Sequence, residues 1–157
     1  MRIYIPATGV DIGRDALLPR TVHAVTDELR DLLPGDVEEV LEAVAMNAAT
    51  DESLRVLAAL AASGETVYPL RVVIAAEIEE GKTAHIEGDD ILPTALQLVE
   101  PVGWEDVVSF HVDDAEAAND VVLAIGGDAA ALERVTDDED LMWFDVGERG
   151  RLIEYFG

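Results

Sequence analysis

The chain reads as an α+β protein, a two-layer sandwich whose mixed or antiparallel sheet of about 5–7 strands carries its helices mainly on one face. Three observations predict it. Val37, Val40, Leu41, Val44 and Ala45 recur at the three- and four-residue spacing of an amphipathic helix. Residues 70–78 (LRVVIAAEI) are a nearly continuous apolar run, too short and too β-branched for a preferred helix, and read as a central strand. From Thr21 the order is β, α, β, β(β), α, β(β). That order lacks the strict alternation of a doubly wound parallel sheet and is compatible with a ferredoxin-like unit bearing extra strands.

The elements follow in chain order. Residues 2–6 alternate and end in Pro6, as a first or edge strand does. Residues 9–20 form a turn-rich connection with one helical turn at 15–18, and residues 21–25 a short strand. Thr26 caps a turn over 27–33 that Pro34-Gly35 stops. Residues 36–63 are one bent helix or two short ones, with Thr50 as a second cap and Gly64 as the residue that ends it. After the central strand, residues 79–93 are a polar loop. Residues 95–102 and 107–112 are strands joined by the turn at Gly103-Trp104-Glu105-Asp106. Asp113-Asp114 cap a helix ended by Gly126-Gly127, and Asp128 caps another to Val135. A final hairpin is predicted from residues 141–146 and 151–156 around residues 147–150. No repeat or second domain interrupts residues 1–157, which read as a single domain.

Composition narrows the function. Half the residues are hydrophobic, enough for a sizeable core, and there is no cysteine, so disulfides, thiolate metal sites and cysteine nucleophiles are excluded. No apolar run reaches the length of a membrane helix or signal peptide, which points to the cytoplasm. Thirty-four acidic residues against ten basic ones give a net charge of −24. Such a surface repels phosphate backbones and anionic membranes, so neither nucleic acid nor membrane is expected as a partner. The acidity is densest beyond Lys82, where the remaining cations are Arg134, Arg149 and Arg151.

Complete catalytic motifs are missing. Residues 76–83 (AEIEEGKT) end like a phosphate-binding loop but have Ala76 where its first glycine belongs, and three glutamates inside the cradle. The better candidate is His111-Val112-Asp113-Asp114. Strand alternation puts Ser109, His111 and Asp113 on one side, where a histidine and a carboxylate could form an acid–base pair, while Asp113 or Asp114 is also wanted as a helix cap. His23 and His85 show no ligand spacing. Asp89-Asp90 and the acidic run at 137–140 lack the alternation of a calcium loop, so no metal and no cofactor are expected. Tyr4, Ser109, His111 and Trp143 could line an uncovered sheet face and serve as a ligand groove or dimer interface.

Several stretches resemble a family of small uncharacterised actinobacterial proteins. They are the opening MRIYIPAT, the helical segment ESLRVL at 52–57, RVVIAAEI followed by FHVDDAEAANDV, and the closing LIEYFG. The resemblance implies an actinobacterial, cytoplasmic protein of a domain of unknown function. It carries no catalytic residue across.

Three functions compete. A non-enzymatic binding or regulatory module, as a homodimer, fits the absence of a reactive motif. A metal-dependent or acid–base enzyme would centre on His111 with Asp113 or Asp114. A nucleic-acid mimic would use the acidic excess to hold a basic protein partner.

Overall fold

In the computed structural model, which describes residues 1–138 and 140–156, the strands are β1 (Arg2–Ala7), β2 (Thr21–His23), β3 (Val72–Glu77), β4 (Thr83–Ala84), β5 (Ala95–Leu98), β6 (Val107–Asp113) and β7 (Leu141–Asp145). They form one open sheet in the order β4-β5-β2-β1-β3-β6-β7, with antiparallel pairing throughout. The helices are α1 (Gly9–Ile12), α2 (Asp27–Leu32), α3 (Glu38–Ala62), α4 (Ala118–Ile125), α5 (Ala129–Asp138) and α6 (Arg149–Phe156). The protein is thus an α+β sheet-and-helix sandwich. Because β2 and β3 both run antiparallel to β1, they are parallel to each other with β1 between, and β2–α3–β3 is a split βαβ unit. A ferredoxin-like sheet would place β6 in that gap. Here β1 fills it, and β6 and β7 extend the sheet beyond β3.

Alternation divides the side chains between two faces. Ile3, Ile5, Val72, Ile74, Phe110 and Val112 point into the larger core, closed by Ile12 of α1 and by Leu152 and Phe156 of α6. Gly9 is required there: a Cβ would drive into the Phe156 ring. Tyr4, Val73 and Ala75 point the other way and meet Ala45 and Ala49 of α3. Leu54 and Leu57 on the same helix pack against Val121 of α4 and Val135 of α5. The long helix therefore buries one side against strands and another against helices, which explains its lack of a single apolar stripe.

Four local expectations need correction. Residues 36–63 are one helix, Glu38–Ala62, and Thr50 is not a cap: its hydroxyl donates to the Met46 carbonyl one turn back, a bond internal to the helix. The first helical turn lies at Gly9–Ile12, not 15–18, because the Asp11 carboxylate accepts from the Thr8 backbone N–H (2.9 Å) to start it, while Leu17 bridges to Val102. Strand 95–102 shortens to Ala95–Leu98: past it, the Val99 N–H bonds once to the Lys82 carbonyl (2.9 Å) and Val102 makes an isolated bridge to Leu17. The final hairpin does not form. Asp145 and Glu148 build a capping box (Gly147 N–H to Asp145, 2.8 Å; Asp145 N–H to Glu148, 2.9 Å), and the chain turns through Val146–Glu148 into α6. Glu139, in the acidic run at 137–140, lies outside the described residues.

One polar contact pins α3 to the sheet. The Ser53 hydroxyl donates to the Ala7 carbonyl (2.7 Å) and accepts from the Val72 N–H (3.0 Å), joining the ends of β1 and β3 in a fully buried position. Ser53→Ala should leave both backbone groups without this partner and lower stability by about 1–3 kcal/mol. Chemical denaturation of the variant beside wild type measures it.

Candidate functional site

A cleft of about 870 Å³ opens on the α3 side of the sheet. One wall is the C-terminal half of α3, with Glu52, Arg55, Val56, Ala59 and Leu60. The other is the end of β1, α1 and the approach to β2, with Thr8, Val10, Asp11, Arg14, Leu18 and Arg20. Its volume suits a small ligand, and its lining mixes apolar side chains with a few charged ones, the composition such pockets take.

Its charged groups fall into two sets. Asp11 and Arg20 are closed on each other: Arg20 Nη1 and Nη2 donate to the two Asp11 oxygens, each at 3.0 Å, and the guanidinium also donates to the Leu18 and Pro6 carbonyls. This bidentate pair fastens the start of β2 to α1 and has little left to offer a ligand. Arg14 and Arg55 are held loosely. Arg14 Nε is 4.0 Å from Asp11 and Arg55 Nη2 is 3.9 Å from Glu52, both beyond hydrogen-bond length, and both side chains are at least half exposed.

Behind the cleft lies His23, fully buried on β2 in register with Tyr4. Its Nε2 is 3.2 Å from Glu52 Oε2 and its Nδ1 is 2.8 Å from the Thr94 hydroxyl. The ring thus braces a carboxylate that still reaches the cleft, since the Glu52 side chain is 22% exposed. His23 shows no ligand spacing in the sequence, and Glu52 belongs to no catalytic motif. They stand 29 residues apart and Thr94 is 71 from His23, so no local pattern records the convergence.

The residues that were singled out are divided by the structure. Ser109 and His111 share a face and a hydrogen bond (Oγ to Nε2, 3.2 Å), and Trp143 pairs in register opposite His111 on the edge strand, 61% exposed. Burial, and then the Arg2 cation, hold the His111 ring below its usual pKa. His111 lines a smaller cleft of about 520 Å³ with Asp51 and Asn47 of α3. Tyr4 is covered by α3. Its hydroxyl donates to Glu42 (2.5 Å), and burial together with that carboxylate pushes its pKa up. Asp113 is fully buried and engaged by Arg71: Oδ1 and Oδ2 accept from the guanidinium at 2.7 and 2.9 Å, and Oδ2 accepts from the Arg71 N–H at 2.7 Å. Asp114 takes the capping role instead, accepting from the Glu116 N–H at 3.0 Å. The segment spelling GKT forms the turn Glu80–Lys82 and then enters β4, with no helix to receive a phosphate.

Among the described residues, no group of three or more histidine and carboxylate side chains could hold a metal ion, and no helix is long and apolar enough to cross a membrane. A family model described as a family of unknown function (DUF6912) matches residues 1–153. No curated protein and no solved structure matches the chain.

Two outcomes test these electrostatic assignments. Asp113→Asn should destabilise the fold by about 3–5 kcal/mol, because the Arg71 cation is then buried without its counter-charge; urea melts at neutral pH measure it. His111 sits neutral with its folded pKa below the unfolded value of 6.5, so its contribution to stability is complete above that value and is lost as pH falls through the folded one. Stability of wild type relative to His111→Gln should therefore fall as pH drops from 7.5 towards 5, which paired melts across that range would show.

Proposed function

We propose a ligand-binding, non-enzymatic role for this chain, which belongs to the DUF6912 family of unknown function: the cleft between α3 and the β1–β2 region takes a small molecule with an anionic head and a short apolar body. The observation that carries the reading is the pair Arg14 and Arg55. On a surface of net charge −24, most cations are tied down, as Arg2 is to Glu77, Arg30 to Glu38 and Arg71 to Asp113. These two flank an apolar-lined cleft and, among the described residues, have no hydrogen bond to a carboxylate of their own. A guanidinium in that state is suited to bidentate capture of a carboxylate or phosphate. Val10 and Leu18, about half exposed, gain cover when an apolar body enters between them and α3.

The engagement of Asp113 supports a binding role over an enzymatic one. Asp113 is neutralised by Arg71 and cannot act as the carboxylate partner of His111. A cytoplasmic setting belongs to the same proposal and rests on the lack of cysteine.

The test is thermal denaturation with 4-methylpentanoate as the probe. Its addition should raise the melting temperature in a concentration-dependent way, binding at a hundredfold excess over Kd contributing about 2.7 kcal/mol. Arg14→Gln with Arg55→Gln should abolish the shift while the unliganded melt stays close to wild type, since both side chains are surface-exposed. A shift that persists undiminished in the double variant, or no shift at millimolar probe, defeats the reading.

A further inference from the structure

We infer that the ligand of this cleft is a zwitterion, an α-amino acid with an apolar side chain, whose ammonium is read by Glu52 beside the arginines that read its carboxylate. The inference rests on the anion-binding reading above and deepens it. Three observations carry it.

The first is the bracing of Glu52. His23 holds its Oε2, and the ring is held in turn by the Thr94 hydroxyl. Among the described residues Oε1 has no hydrogen bond: the nearest cation, Arg55 Nη2, is 3.9 Å away. A carboxylate fixed from behind and open in front is a preorganised acceptor for a charged donor.

The second is adjacency. An α-amino acid carries its two charges on neighbouring atoms of one carbon, so the groups that read them must also be neighbours. Glu52 and Arg55 are three residues apart on α3, their charged ends 3.9 Å from each other. The apolar Val56, Ala59 and Leu60 continue along the same wall, where the ligand's side chain would lie.

The third is the field of the whole chain. A net charge of −24 opposes the approach of any net anion, whereas a neutral zwitterion meets no such penalty and still presents a carboxylate to the arginines. Glu65 at the rim adds a further negative group that an anion would have to pass.

The experiment compares three probes of one shape by calorimetry on the intact chain: L-leucine, 4-methylpentanoate without the amine, and 3-methylbutylamine without the carboxylate. L-leucine should bind at least tenfold tighter than either, the scale of one charge-assisted hydrogen bond. Glu52→Gln, which keeps an oxygen for His23, should bring leucine down to the level of 4-methylpentanoate and leave that acid unchanged or tighter. The inference is overturned if the acid binds as well as leucine, or if the leucine advantage survives in Glu52→Gln; in both cases the anion-binding reading stands. If none of the three binds, both fall. An unliganded melt of Glu52→Gln close to that of wild type establishes that the variant is folded.

Discussion

The close approach of α3 to the sheet governs the rest of the molecule. Leu41, Ala45, Ala49, Ser53 and Leu57 recur at four-residue spacing and all are buried. Where the helix crosses the strands the side chains are small, and they meet Tyr4, Val73 and the equally small Ala75. Larger residues there would lift the helix away from the sheet and separate the Ser53 hydroxyl from the backbone groups it joins. With the axis pinned, each contact along it has a fixed depth. Glu42 reaches the Tyr4 hydroxyl, Glu52 reaches His23, and Leu54 and Leu57 pass beyond the strands to meet α4 and α5. The cleft is a consequence: the last turns of α3 overhang the β1–β2 end of the sheet.

Charge is distributed by the same geometry. Acidic side chains far outnumber cations, and the fold uses most of its arginines as fasteners. Arg71 neutralises a carboxylate at the β3–β6 boundary, Arg20 ties β2 to α1, and Arg149 donates to the Ile12 and Arg14 carbonyls while its guanidinium lies 4.1 Å from the Trp104 ring centroid. Such bonds are bidentate or shared among several acceptors, which is the use to which the planar guanidinium is suited. The surface pairs among them contribute little to stability. What distinguishes the cleft is that arginines are present there in excess of what fastening requires.

The sequence carried the fold where one period dominated. β3 was legible because its apolar run is β-branched and bounded, and β6 because Ser109, His111 and Asp113 alternate with Phe110 and Val112. The capping residues Thr26, Asp114 and Asp128 were legible because each sits at the start of a pattern, and each accepts a backbone N–H as expected. Thr50 failed because threonine bonds either forward as a cap or back into the helix, and only the neighbouring turns decide which. The last helix failed because Gly147 and Gly150 bracket a short segment that looks like a turn between strands. Its helical signals were the capping pattern Asp145…Glu148 and the four-residue spacing of Leu152 and Phe156, too sparse together to outvote the glycines. Asp113 was misleading for another reason: a carboxylate beside a histidine in sequence found its partner in Arg71, just before the neighbouring strand.

A carboxylate can read a ligand of the cleft only when it is both held and reachable from the cleft, and that pair of conditions separates Glu52 from Asp113, Asp89, Asp90 and Glu38. Asp113 is held by Arg71 but has no exposed surface. Asp89 and Asp90 are exposed, but among the described residues no hydrogen bond or ion pair fixes their side chains. Glu38 is exposed and paired with Arg30 on an open helix end, away from the cleft. Glu52 meets both conditions, because the residue that holds it is behind it in the core and the space in front is the cleft. Burying His23 costs the ring its water, and the hydrogen bonds to Thr94 and Glu52 repay that cost only while Glu52 keeps its position. The orientation of the carboxylate is therefore enforced by the stability of the core itself, which is the condition under which a surface acidic group, one of thirty-four in this chain, becomes a specific one.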